Sequence, residues 1–203
     1  MRSPSFADLE PALRLADGPE KTAAVVSWLQ GLYAGQAEVP VLVGEGAMEL
    51  HSEGASSADV LELEGDLPPG VTRRLRAAGF LEEEGLWIHE SGDVVLEVIP
   101  RRQGPGTAVT HPYGTGDVRL LCAEDILLDL LASWRDEEAP LDAISAFQFW
   151  RRLWEKMDLE RLETEAAHRG LAVALESLRR LDVATGGRWP DLQDLRQWAA
   201  QPV

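Results

Sequence analysis

Residues 20–34 space apolar side chains at helical intervals, with Ala24, Trp28 and Leu32 along one face and Val25 and Leu29 beside them. That spacing predicts an amphipathic helix, and a shorter stretch at 6–16 predicts another. VPVLVG, residues 39–44, is a nearly all-apolar run that ends in glycine, as a buried strand does. EGAMELH then begins a further helix. DVLELE, 59–64, alternates apolar and acidic residues, the period of a strand with one face buried. PPGVTRRLRAAGF, 68–80, opens with proline and reaches a stop at Gly79, which predicts a helix. LWIHE and DVVLEVIP flank ESGD (90–93) as the two arms of a hairpin. RRQGPGTAVTHPYGTGD is rich in glycine and proline and reads as a loop, with one short strand at 107–111.

From Ala123 onward the period is helical. AEDILLDLLASW sets Ile126, Leu127, Leu130 and Leu131 on one face, and LDAISAFQFWRRLWEKM, LERLETEAAHRG, LAVALESLRRLD and PDLQDLRQWAA continue the pattern. No strand is expected after about residue 121. The reading is an α+β fold in which residues 1–121 carry the strands and 122–203 form a helical C-terminal part.

Composition narrows the setting. The chain has 203 residues, 45% of them hydrophobic, so a sizeable core is expected. No apolar run is long enough for a membrane span and no apolar leader stands at the N-terminus, so no membrane partner is expected. Cys122 is the single cysteine, which excludes an internal disulfide and a cysteine metal cluster and fits a cytoplasmic location. The net charge of -16 opposes binding to nucleic acid, which is held through many Lys and Arg contacts.

Candidate chemistry gathers at Gly44, Asp59 and Glu97. Transfer of a phosphoryl or nucleotidyl group needs carboxylates that hold divalent metal and a turn where backbone meets phosphate without a Cβ in the way. Gly44 and Gly46 could form the turn, and Asp59 the first carboxylate. Glu97 interrupts VVLEVI, and a lone buried carboxylate is costly. Simple strand alternation, with Glu97 on a wet face, is the reading that the spacing alone favours. His51 and His89 read as packing residues, His111 as a loop residue and His168 as exposed; no pair has the spacing of metal ligands. Cys122 reads as a small buried residue. RRQGPG and TRRLR are short basic spots that read as solvated faces. Of the seven Trp, five fall in the helical part, as core or as anchors for a protein partner.

Residues 39–134 resemble the minimal nucleotidyltransferases of the DNA polymerase β-like superfamily, including the toxin-like members of type IV toxin–antitoxin systems. The resemblance rests on Gly44, Ala47, Leu50-His51, Asp59, Glu97 in LEVIP, and AEDILLDLLASW with Glu124 and Asp125 at its start. It implies a mixed sheet flanked by helices. It implies also a nucleotide held by Gly44, Glu45, Gly46 and Ser57, and magnesium held by Asp59 and Glu97 as the catalytic pair. Four positions depart from the family pattern: Glu45 replaces the second glycine, Ala55 the usual Arg, Ser57 the usual Thr, and Leu61 the second metal-binding Asp. Leucine cannot ligate a metal, and Glu62 points to the opposite strand face. The expectation is a nucleotidyltransferase-fold protein with a degenerate active site that acts by binding a nucleotide or a protein partner. The alternatives are an active magnesium-dependent transferase acting on a protein, RNA or small molecule, with Glu45 or Glu62 supplying the missing ligand, and an acidic protein-interaction scaffold.

Overall fold

Alternation in the sequence becomes register in the sheet. Seven strands, β1 (Val41–Leu42), β2 (Leu61–Glu64), β3 (Leu81–Glu83), β4 (Leu86–His89), β5 (Val94–Ile99), β6 (Ala108–Tyr113) and β7 (Gly116–Leu121), form one sheet in the order β3-β4-β5-β2-β1-β7-β6. The structure is a computed structural model and describes residues 4–101, 106–113, 116–137 and 139–201. The sheet is mixed: β2 runs parallel to β5 and β1 parallel to β7, while the remaining pairs are antiparallel. The chain divides into two units, Met1–Cys122, which holds the whole sheet, and Ala123–Val203, which is helical among its described residues.

One face of the sheet is apolar. Leu42 pairs with Leu63 and with Leu120, and Leu61 pairs with Leu96, which in turn pairs with Trp87. All six are buried, the outcome expected when residues two apart on a strand share a face. The expected hairpin of LWIHE and DVVLEVIP is β4–β5, joined through a short 3-10 turn at Glu90–Gly92 and Asp93, whose φ of 48° is left-handed.

The first unit also holds α1 (Phe6–Leu13), α2 (Pro19–Gly31), α3 (Gly44–His51) and α4 (Pro69–Ala77). Helix α2 was expected to bury one stripe; instead Lys21, Thr22, Ala23, Val25, Val26, Trp28, Leu29 and Gln30 are all buried. The helix packs against α1, α3, β6 and β7, and a helix covered on several sides buries more than one face. Gln30 ties it to the sheet. Its amide nitrogen donates to the carbonyls of Pro40 (3.0 Å) and Arg119 (2.7 Å), and its amide oxygen accepts from the Arg119 N–H (2.8 Å).

The Gly/Pro-rich stretch expected as loop is largely sheet. β6 and β7 pair along six residues each, from Ala108 opposite Leu121 to Tyr113 opposite Gly116. Proline at 112 is tolerated because β6 is an edge strand with a free side, where a missing N–H breaks no ladder. Arg102 and the QGP that follows it lie outside the described residues.

The second unit contains α5 (Ala123–Glu137), α6 (Pro140–Leu153), a 3-10 turn at Trp154–Lys156, α7 (Leu159–His168), α8 (Ala172–Thr185) and α9 (Leu192–Ala199). Its core holds Trp134, Phe147 and Trp198, with the two indoles 4.7 Å apart and the Trp134 Nε1–H donating to the Ala199 carbonyl. Trp154 and Trp189 are exposed. Asp125, 1% exposed, accepts from Arg161 (2.6 Å) and from Arg169 (2.7 Å), while Glu124 accepts from the Asp158 N–H (2.7 Å). The acidic pair that opens α5 therefore clamps α7 and its C-terminal end to α5. No helix among the described residues is long and apolar enough to cross a membrane.

Candidate functional site

Strand β1 ends where α3 begins, and the change of direction is made at Gly44, with φ of +59°. A residue with a Cβ is strained there. Space is a second constraint: a Cβ at Gly44 would collide with Oε2 of Glu62 and lie 3.1 Å from its Cδ. Gly46, one turn into α3, is buried, and a Cβ there would meet Leu42 at 3.0 Å and Leu61 at 3.2 Å. The two glycines thus serve different ends. Gly44 admits a carboxylate, and Gly46 lets α3 close on the apolar face of the sheet. Glu45 between them is exposed.

Position 61 lies in the core. Leu61 is 6% exposed, touches α3 at Gly46 and pairs with Leu96. The acidic side chains of β2 face the other way: Glu62 pairs in parallel register with Glu97, and Glu97 pairs with Leu86 across β4. Glu62 and Glu97 are both half-buried. Asp59 stands in a bend two residues ahead of β2, exposed and outside the ladder. Strand register therefore brings Glu62 to Glu97 and leaves Asp59 apart from it.

Asp59 and Ser57 instead line a cavity of about 670 Å³ beside the start of α2, in the size range of small-molecule sites. Gly44, Glu45, Gly46 and Glu97 do not line it. Its wall carries four carboxylates, from Asp17, Glu49, Asp59 and Asp93, and one ammonium, from Lys21. Lys21 is buried and donates to Asp17 at 2.7 Å. Glu49 is 3% exposed and accepts a hydrogen bond from the Thr22 hydroxyl at 2.5 Å. Burial pushes the Glu49 carboxyl above its ordinary range; the Thr22 hydroxyl opposes this and the Asp17 charge adds to it. The Tyr113 phenol on β6 is also pushed up, by burial first and then by the charges of Glu20, Glu49 and Glu53. The field in and around the cavity is negative.

Asp59 and Leu61 both line the cavity, and Glu97 lies on the other sheet face with Glu62. Among the described residues, no three His, Cys, Asp or Glu side chains gather as a metal-binding group.

The cavity residues Asp17, Lys21, Thr22 and Glu49 gave no signal in the sequence. Thr22 and Glu49 meet across 27 positions, and Glu49 reads as an ordinary polar residue of a short helix. Two of the histidines hold structure. His51 Nε2 bonds the Leu121 carbonyl (2.8 Å); His89 is buried with Nε2 on the Ala78 carbonyl (3.1 Å) and its ring edge-on to Phe80. His111, expected in a loop, lies in β6. Cys122 is buried.

Compared with models of known families, with curated proteins and with solved structures, the chain gives no match.

Proposed function

We propose that the α+β unit is a nucleotidyltransferase-like module that acts by binding and does not carry out two-metal nucleotidyl transfer. The observation that carries this reading is Leu61. The position that would hold the second metal carboxylate is a leucine, which lines the same cavity as Asp59 but cannot ligate a metal.

In this reading the ligand sits in the cavity lined by Thr22, Glu49, Ser57 and Asp59. Four carboxylates against one ammonium disfavour a triphosphate, so the ligand is a small polar molecule without net negative charge. The test is a thermal-shift panel of nucleoside triphosphates, nucleosides and small amines, run on the wild type and on Ala58→Trp, which fills the cavity wall. Stabilisation by neutral or cationic members that is lost in the tryptophan variant is expected. Stabilisation by triphosphates that survives in that variant overturns the reading.

One observation favours a second reading, an enzyme that remains active. Glu62 lies beside Glu97 in register, so the two could act together where Asp59 and Glu97 do not. On that reading Glu62→Ala abolishes nucleotide binding.

A further inference from the structure

We infer that the cavity beside α2 binds a zwitterion of the amino acid class, with its carboxylate on Lys21 and its ammonium on Glu49 and Asp59. The inference names the class of ligand for the cavity of the proposed function, and it rests on that reading.

Two buried side chains of opposite charge carry it. Both line the cavity, and each keeps hydrogen-bonding capacity that the protein does not use. Lys21 is 8% exposed. An ammonium has three N–H donors, and among the described residues that of Lys21 meets one acceptor, Asp17 at 2.7 Å. Asp17 is itself exposed, so the pair is held weakly and leaves the ammonium open to a second acceptor. Glu49 is the more deeply buried of the two. The Thr22 hydroxyl donates to its Oε2, and among the described residues no hydrogen bond reaches Oε1. Buried polar groups ordinarily complete their hydrogen bonds, so a donor and an acceptor left over in one cavity call for a ligand that offers both.

Charge decides what the ligand must carry. A simple carboxylate would meet Lys21 but add a negative charge to a wall that already holds four carboxylates. A simple amine would meet Glu49 and Asp59 but leave the spare donors of Lys21 unfilled and bring a second cation to the cavity. A zwitterion serves both groups and leaves the net charge unchanged. Burial holds the Glu49 carboxyl above its ordinary range, and an ammonium beside it favours the ionised form. Because the field is negative, the ammonium is the more important of the ligand's two charges.

The rest of the wall sets the side chain. Val25, Leu61, Val94 and Val95 line the same cavity and give it an apolar side. An apolar wall with a few placed polar groups selects a ligand by shape and by its polar ends together. An aliphatic amino acid has both parts.

The test is titration calorimetry on the full chain with three probes: leucine, leucine methyl ester, which lacks the carboxylate, and N-acetyl-leucine, which lacks the ammonium. Mildly acidic buffer keeps the ester's amine charged. Leucine is expected to bind tightest, the ester at least about tenfold more weakly, the scale of one charge-assisted hydrogen bond, and N-acetyl-leucine more weakly still. Lys21→Met is expected to lower leucine to the level of the ester and to leave the ester unchanged. Ala58→Trp is expected to abolish leucine binding. Ester or N-acetyl-leucine binding as tightly as leucine overturns the inference, and so does leucine binding that Ala58→Trp leaves intact. No leucine binding at millimolar concentration overturns it as well. Should either variant fail to fold, the three probes on the wild type decide alone. An ester that matches leucine sinks the zwitterion and leaves the broader reading standing, whereas triphosphate binding that survives Ala58→Trp sinks that reading.

Discussion

Leu61 is the residue on which the proposed absence of transfer chemistry turns, and its burial makes a sharp prediction. Leu61→Asp would place a carboxylate beside Gly46 of α3 and Leu96 of β5, in the wall of a cavity that already carries four carboxylates. The expected cost is about 3 kcal/mol or more, read from urea denaturation, with no gain in nucleotide affinity. A folded variant that binds magnesium and nucleotide would contradict it. At Glu49 the prediction concerns pH. Its folded pKa lies above the ordinary 4.5, so the folded state holds the proton more tightly than the unfolded one. The stability from that proton is fully present below the ordinary value and is lost as pH rises through the raised one. Glu49→Gln, which keeps an acceptor for Thr22, is expected to flatten this fall in stability, measured as melting temperature against pH. In the helical unit, Asp125→Ala would leave Arg161 and Arg169 without the buried carboxylate that joins them. A loss of about 3–5 kcal/mol is expected from denaturation.

At the scale of elements, α2 and α3 are fixed to the sheet by few groups, each of which can be removed. Gln30→Ala removes three hydrogen bonds and leaves the Arg119 N–H short of a partner, so about 2–3 kcal/mol should be lost. Gly44→Ala meets both the positive φ and Glu62, and should cost more than the ordinary 1 kcal/mol or so of a glycine replaced at such a φ. These contacts also explain what the chain disclosed in advance. The alternation of DVLELE and DVVLEVI marks β2 and β5, because a strand with one buried face must alternate. The β6–β7 hairpin was hidden because glycine and proline in TAVTHPYGTGD signal a loop, and only the edge position of β6 lets Pro112 stay in a strand. The surround of α2 was hidden too, since its polar Lys21, Thr22 and Gln30 are buried by partners far away in the chain. The resemblance placed Asp59 and Glu97 together; register depends on which residues of two distant strands meet, and here Glu62 meets Glu97.

For the molecule as a whole, charge and shape point the same way. A net charge of -16, a cavity with four carboxylates and a glycine turn filled by a glutamate all disfavour a polyphosphate ligand. The helical character of the second unit was plain from its period, and its acidic opening pair proves to be a clamp between helices. The cavity was not legible, because its walls come from the start of α2, from α3, from the bend before β2, from Leu61 of β2 and from Asp93, Val94 and Val95 at the start of β5. The most direct test of the central claim is isothermal titration of the purified protein with each nucleoside triphosphate, with and without magnesium, alongside Asp59→Ala and Glu97→Ala. The account predicts no magnesium-dependent binding at millimolar nucleotide. Metal-dependent binding by the wild type that both substitutions abolish would contradict it and restore a working transfer site.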